Sequence, residues 1–281
     1  MKKITQSHIA GFTTHLILTE KAKSTKEKYL RDVIAFKNWL GKKELTKEMV
    51  LLYKDYLIKN HKPAGVNGAL SSLNSFFSFI NMHELKAKSI KIQTRIFANK
   101  DKELTRAEYE RLLNAALSRK NRRLFLIMKT ICSCGIRVSE LEYITAQAVK
   151  TGITNINCKG KLRQVFLPGQ LCKMLREYIK TNNIKSGPVF ITRNGNPLNR
   201  SNIWKMMKSL CDEANVPKDK VFPHNFRHLF ARTYYSIQKD IVRLADILGH
   251  SSINTTRIYT MESGDTHRRQ IQKLGLVRCL K

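Results

Sequence analysis

The segment LGHSSINTTRIYT, residues 248–260, sets an imidazole at His250 and a phenol at Tyr259 on either side of a Ser/Asn/Thr-rich turn. A phenol is an oxygen nucleophile once a base removes its proton and cations stabilise the centre it attacks. Upstream residues offer both kinds of help. In HNFRHLFARTYYSIQ, His224 and Arg227 are three apart and share a helical face. At 100° per residue Phe226, Leu229, Phe230, Thr233 and Ile237 gather on another side, so the His224/Arg227 face should point away from the core, with His228 elsewhere and structural. In CGIRVSELEYI, Arg137 occupies the turn before Ser139, and its planar fork suits a phosphate. Taken singly, each has an ordinary alternative: an ion pair of Arg137 with Glu140 or Glu142, a dipole contact for His250, simple packing for Tyr259.

The elements that must hold these residues are mostly helical. Three capping boxes, Ser24 with Glu27, Thr105 with Glu108 and Ser139 with Glu142, mark helix starts. The first opens a helix with Tyr29, Val33, Phe36 and Leu40 at helical spacing; TKEMVLLYKDYLIKN and, after HKPAG, VNGALSSLNSFFSFINMH supply two more. Between about residues 86 and 102 the periodicity fades into a basic stretch that reads as a linker able to lie along phosphates. Beyond Thr105 the helical pattern breaks once, at GITNINCKGKLRQVFLP, a small hairpin with Gly160 at its tip. A lysine on such a tip reaches into a nucleic-acid groove or is simply solvated. Helices follow in LCKMLREYIKTNN, SNIWKMMKSLCDEA, HNFRHLFARTYYSIQ and DIVRLADILGH, the last stopped by Gly249.

Composition narrows the class. Among 281 residues, 52 Lys and Arg against 21 Asp and Glu give a formal charge of +31, spread along the whole chain, so the folded body should attract a polyanion, DNA or RNA first. Hydrophobic residues make up 42%, enough for one large or two modest cores. No apolar run approaches the roughly 20 residues that cross a bilayer, and the N-terminus lacks the pattern of a signal peptide, so a cytoplasmic protein without a membrane partner is expected. The six cysteines show no ligand spacing and are expected to be reduced thiols.

In order along the chain, Arg137 in GIRVSEL, Lys159 in KGK, His224 and Arg227 in HNFRH, His250 in LGHS and Tyr259 in TTRIYT resemble the tyrosine recombinase (phage-type integrase) family, and the resemblance covers nearly the whole chain. It implies a mainly α fold with a small β-hairpin: a helical, SAM-like core-binding domain over 1–97 carrying the basic linker at 86–102, and a catalytic domain over 98–281 ending in a tail at 261–281, the two forming a clamp around double-stranded DNA. It further implies a site-specific recombinase or integrase that cleaves and rejoins strands through a 3′-phosphotyrosyl link with a free 5′-hydroxyl. That link keeps the phosphodiester energy, so no ATP, metal or cofactor is expected, in keeping with the absence of a Gly-x4-Gly-Lys-Ser/Thr loop. Implied roles are Tyr259 as nucleophile, Arg137 and Arg227 as transition-state clamps, His224 as general base, Lys159 as proton donor to the leaving oxygen, His250 as a phosphate contact and Glu140 as outer support. The implied partners are further copies of the chain, monomeric when free and tetrameric on synapsed sites of a mobile element or chromosome, with the tail exchanged between neighbours, and accessory DNA-bending proteins.

Departures concern detail. The hairpin run KGKLRQVFLP leaves Lys161 as an alternative to Lys159; the acidic residue usual some ten positions after the first Arg is missing from YITAQAVK, where a local packing difference is expected; and a short, two-domain member without an additional arm-binding domain is expected. Type IB topoisomerases share the chemistry, and a non-catalytic DNA-binding protein would share the charge. A metal-dependent nuclease would need converging carboxylates, which the sequence does not group.

Overall fold

The computed structural model describes residues 3–91, 100–158, 161–192, 194–260 and 264–274. The chain divides into two compact units, 1–94 and 95–281, each with its own apolar core.

The first unit holds four helices where the sequence suggests three: α1 Gln6–Leu18, α2 Lys23–Leu40, α3 Lys47–Asn60 and α4 Pro63–Phe79. The unexpected α1 starts at a reciprocal cap between Thr5 and His8 and buries Ile9, Phe12 and Leu16. Its Thr and His residues, which interrupt a signal-like run, lie between those buried positions. The Ser24/Glu27 box does not form, because α2 begins two residues earlier than a Ser24 cap would start it, after Ala22. Val33, Phe36 and Leu40 are buried as their spacing predicts. The start of the expected linker is also corrected. Asn74 and Asn67, on one face of α4, each clasp a backbone residue through both the side-chain oxygen and nitrogen, Ala87 at 2.9 and 2.9 Å and Ile90 at 2.7 and 2.9 Å. Residues 87–90 are therefore strapped to the unit, and Leu85 and Ala87 are part of its core.

The second unit opens with the Thr105/Glu108 box, which forms as expected and starts α5 Arg106–Ser118. Next come α6 Arg122–Cys134, buried over most of its surface, a 3-10 turn Val138–Tyr143, α7 Ala146–Thr151, and the antiparallel pair β1 Ile153–Cys158 and β2 Lys161–Phe166. Thr145 caps α7 where the family's acidic residue is missing. Then follow α8 Gly169–Thr181, α9 Arg200–Lys208, α10 Cys211–Ala214, α11 Pro223–Gln238, α12 Ile241–Leu248 and α13 Ile253–Thr256. A 3-10 turn, Arg257–Tyr259, and α14 Gly264–Lys273 are the last elements among the described residues. The architecture is mostly helical with one two-stranded sheet. Among the described residues no helix is long and apolar enough to cross a membrane.

Two further expectations change here. Ser139 does not cap the helix after Arg137; the turn is held instead by Glu140 reaching back to the Arg137 N–H at 2.7 Å. On α11 Phe226 and Leu229 are buried, yet Ile237 is 70% exposed and Arg227 fully buried. The wheel locates the main core correctly but cannot see that α12 and the Tyr259 turn fold over α11, forming a second small core of Ala231, Leu244, Leu248 and Tyr259.

Candidate active site

Arg227 is the centre of the arrangement. Its Nη1 donates to the Gly135 carbonyl at 2.5 Å, and its Nη2 donates to the Leu248 carbonyl at 2.6 Å and meets His250 Nε2 at 3.1 Å. Gly135 and Leu248 close the C-terminal ends of α6 and α12, where carbonyls lack intrahelical donors and the dipole is negative, so two helix ends stabilise one buried cation. Burial, then Arg137, draw the Arg227 pKa down to about 10, which leaves it charged at neutral pH.

Glu140, 1% exposed, ties the neighbouring cations together. Its Oε1 accepts from Arg137 Nη1 at 2.8 Å and Arg163 Nη1 at 3.2 Å; its Oε2 accepts from Arg163 Nη2 at 2.8 Å and lies 4.0 Å from Arg227 Nη1. Burial pushes this carboxyl up, but the Arg137 N–H and the charges of Arg163 and Arg137 outweigh it and hold the pKa below the usual carboxylate value. Arg163 also donates to the Leu248 carbonyl at 2.9 Å, linking β2 to the end of α12. Gly249 follows in the left-handed region, φ +65°, and a Cβ there would come within 2.6 Å of Arg163, so glycine is required twice over.

Tyr259 is buried, with its ring stacked on His250 at 6.2 Å between centroids and edge-on to His228 at 4.9 Å. Burial raises the pKa of its phenol against the pull of Arg227 and Arg137, so the hydroxyl stays protonated at neutral pH. For His250, Arg227 can only donate, so Nε2 accepts and Nδ1–H donates to Thr256 Oγ1 at 2.8 Å. Burial and the surrounding guanidiniums push the His250 pKa down to about 4. His224 is exposed in the first turn of α11; the partial enclosure of its ring, then Arg227, Arg137 and Arg200, lower its pKa, and its ring meets His228 edge-on at 4.5 Å. A cavity of ≈140 Å³ opens over Arg137, Val138, Ser139, Arg200, Pro223, His224 and Arg227. An anion entering it would face three guanidiniums and an imidazole.

Five of the six expected residues, Arg137, His224, Arg227, His250 and Tyr259, thus lie within one connected set of contacts and charges, together with Glu140. Lys159, the sixth, and Gly160 lie outside the described residues; Lys161 is the first residue of β2, opposite Cys158. Three residues in this set go beyond that reading. Arg163 has a signal in the hairpin alternation, where it shares the inward face with buried Val165 and Leu167. His228, assigned a structural role, touches both His224 and Tyr259. Thr256, fully buried, fixes the His250 ring and carries no sequence signal beyond lying three residues before Tyr259.

Comparison with known proteins settles the class. Residues 102–265 match the model of the phage integrase family, and residues 9–83 match the N-terminal SAM-like domain of phage integrases. The chain belongs to the phage integrase family, the tyrosine recombinases, and it is a site-specific recombinase. Among individual relatives, the tyrosine recombinase XerA of Thermococcus kodakarensis is 28% identical over 281 residues, covering 97% of this chain and 96% of that protein. In three dimensions the chain resembles a lambda integrase dimer bound to a COC′ core site, at TM-score 0.73 and 17% identity over 92% of this chain and 96% of that one. XerH recombinase bound to its difH substrate in a pre-cleavage complex gives 0.68 and 20%, over 88% and 78%.

Proposed function

We propose that the chain recombines double-stranded DNA by a transesterification in which the Tyr259 hydroxyl attacks a backbone phosphorus. The phenolic oxygen forms the new P–O bond, the bond to the 5′ oxygen breaks, and the product is a 3′-phosphotyrosyl link with a free 5′-hydroxyl. The phenolic proton passes to His224, whose lowered pKa keeps it neutral and able to accept. Lys159 of the KGK run donates a proton to the departing oxygen. Arg137 and Arg227 carry the charge that builds on the non-bridging oxygens, and loss of either donor should cost about a hundredfold to a thousandfold in rate. His250, released from Arg227 and with its proton on Nε2 while Nδ1 accepts from the Thr256 hydroxyl, donates to the same phosphate, and Glu140 holds Arg137 in place. Rejoining reverses these steps without ATP.

The observation that carries this reading is the placing of a protonated, buried phenol among His250, His228 and the Arg227 charge, beside a cavity lined by both arginines and His224. The net charge of +31 fits a duplex partner, and the named DNA complexes of lambda integrase and XerH support the same partner and assembly into dimers and larger synaptic complexes. The tail from 261 onward, including the exposed Ile271 and Leu274, would be exchanged between protomers. The test is trapping on a nicked half-site. Wild type should form a covalent protein–DNA adduct in EDTA, mapped to Tyr259, while Tyr259→Phe binds the same DNA and forms none; equal recombination by both would overturn the assignment.

A further inference from the structure

We infer that Arg200 is a further phosphate-binding residue of this enzyme, holding the backbone phosphate next to the one that Tyr259 attacks. Arg200 opens α9, whose first turn is fixed by Asn199 accepting from the Ser201 N–H at 2.8 Å. It borders two adjoining hollows. One is the ≈140 Å³ cavity shared with Arg137, His224 and Arg227; the other, ≈280 Å³, is lined by Arg200, Ser201, Trp204, Phe222, Pro223 and His224. Among the described residues neither lining contains a carboxylate.

Several other arginines of the unit have carboxylate partners. Arg137 and Arg163 are paired with Glu140, Arg119 with Glu213, Arg122 with Glu177 and Arg232 with Glu103. Arg200 has no ion-pair or hydrogen-bond partner among the described residues, and Glu142, which shares a third hollow with it, forms no pair with it. Its charge nevertheless acts on His224. Three guanidiniums around one small cavity repel one another, and an arrangement of this kind is stabilised when an anion enters. Arg137 and Arg227 are anchored around the first hollow, where the attacked phosphate belongs. Arg200, exposed and bordering both hollows, faces the next phosphate along the strand, with the half-exposed Trp204 ring one turn further on as an apolar wall for the intervening sugar.

This inference rests on the proposed reading of the site, and the experiment separates the two. Arg200→Gln and Arg200→Lys would be measured in the full chain for binding to recombination-site duplex across salt concentrations, and for single-turnover adduct formation on a half-site at saturating DNA. Arg200→Gln should weaken binding about tenfold and reduce the slope of log K against log salt by about 0.9, the value for one phosphate contact. Arg200→Lys should recover most of the affinity. A neutral methylphosphonate placed beside the scissile position should weaken wild type but not Arg200→Gln. An unchanged salt slope, equal weakening of both proteins by the methylphosphonate, or a lowered unfolding midpoint in place of a binding defect would each overturn the inference. Absence of any adduct with wild type would overturn the catalytic reading alone, since the binding arm still judges Arg200.

Discussion

Each unit contains a carboxylate withdrawn from solvent and bound to cations, and the two networks are built to different ends. In the first unit Asp32 accepts from Lys28 Nζ at 2.6 Å and from Ser72 Oγ at 2.7 Å, and Lys28 Nζ also donates to the Gly68 carbonyl at 2.8 Å and meets Ser72 Oγ at 3.2 Å. Lys28 has three N–H donors and three partners, all within α2 and α4, so nothing remains for an outside anion. In the second unit Glu140 collects Arg137 and Arg163, but each guanidinium has five N–H groups, and Arg137 uses only Nη1 on it while its side chain is 34% exposed. A saturated network ties helices together; an unsaturated one with the same kind of carboxylate at its centre presents donors to a ligand. The distinction lies in the donor count of the cation and in where its free edge points.

Neutralising each carboxylate tests the distinction most directly. Glu140→Gln removes the counter-charge from a buried group with two guanidiniums bonded to it and a third 4.0 Å away, and losing one side of such a pair costs about 3–5 kcal/mol. Chemical denaturation should report that loss, together with a collapse of adduct formation. The next largest effect is Arg137→Gln: about 3 kcal/mol of transition-state stabilisation lost in single-turnover cleavage, with a far smaller change in folding stability because the side chain is partly exposed. Asp32→Asn should cost about 1–3 kcal/mol of stability in the first unit and leave the saturated cleavage rate at the wild-type value. If Asp32→Asn slowed chemistry as Glu140→Gln does, the division between a tying and a presenting network would fail.

How far the sequence reveals this difference depends on how local each feature is. The Thr105/Glu108 box, the Gly249 stop and the hairpin are legible because both partners of each interaction lie within a few residues. The Ser24 and Ser139 boxes have the right letters, yet the helix at Lys23 starts two residues early and the turn at Val138 is held by the Glu140 side chain. The order of Arg137, His224, Arg227, His250 and Tyr259 is readable as a family resemblance, whereas their convergence needs the end of α6, the end of α12 and the Tyr259 turn to meet over α11. Burial of Arg227 is the clearest case, since its two strongest partners are carbonyls at Gly135 and Leu248, and every residue, proline included, offers the same carbonyl. Arg163 is intermediate: the period-two pattern turns it inward, but only the fold supplies Glu140.

Acidification sets the two networks apart from a third side. His228 and His250 lie beside Tyr259 with pKa values pushed down to about 4, in both cases first by burial and then by neighbouring positive groups. In the unfolded chain an imidazole takes up its proton near 6.5. Between pH 6.5 and 4 the unfolded state therefore binds more protons than the folded one, so stability is fully present above about pH 6.5 and is lost as pH falls toward 4, by at most about 1.4 kcal/mol per pH unit for each imidazole. The Lys28–Asp32–Ser72 network contains no imidazole. Trp39 lies in the first unit and Trp204 in the second, so single-tryptophan variants can follow each unit separately by fluorescence during denaturation. The Trp204 transition should weaken over that pH window, and His228→Gln should make its pH dependence shallower. An unaltered slope in His228→Gln would mean that the ring is already protonated in the folded state, and the neutral packing of His228 against Tyr259 would have to be abandoned.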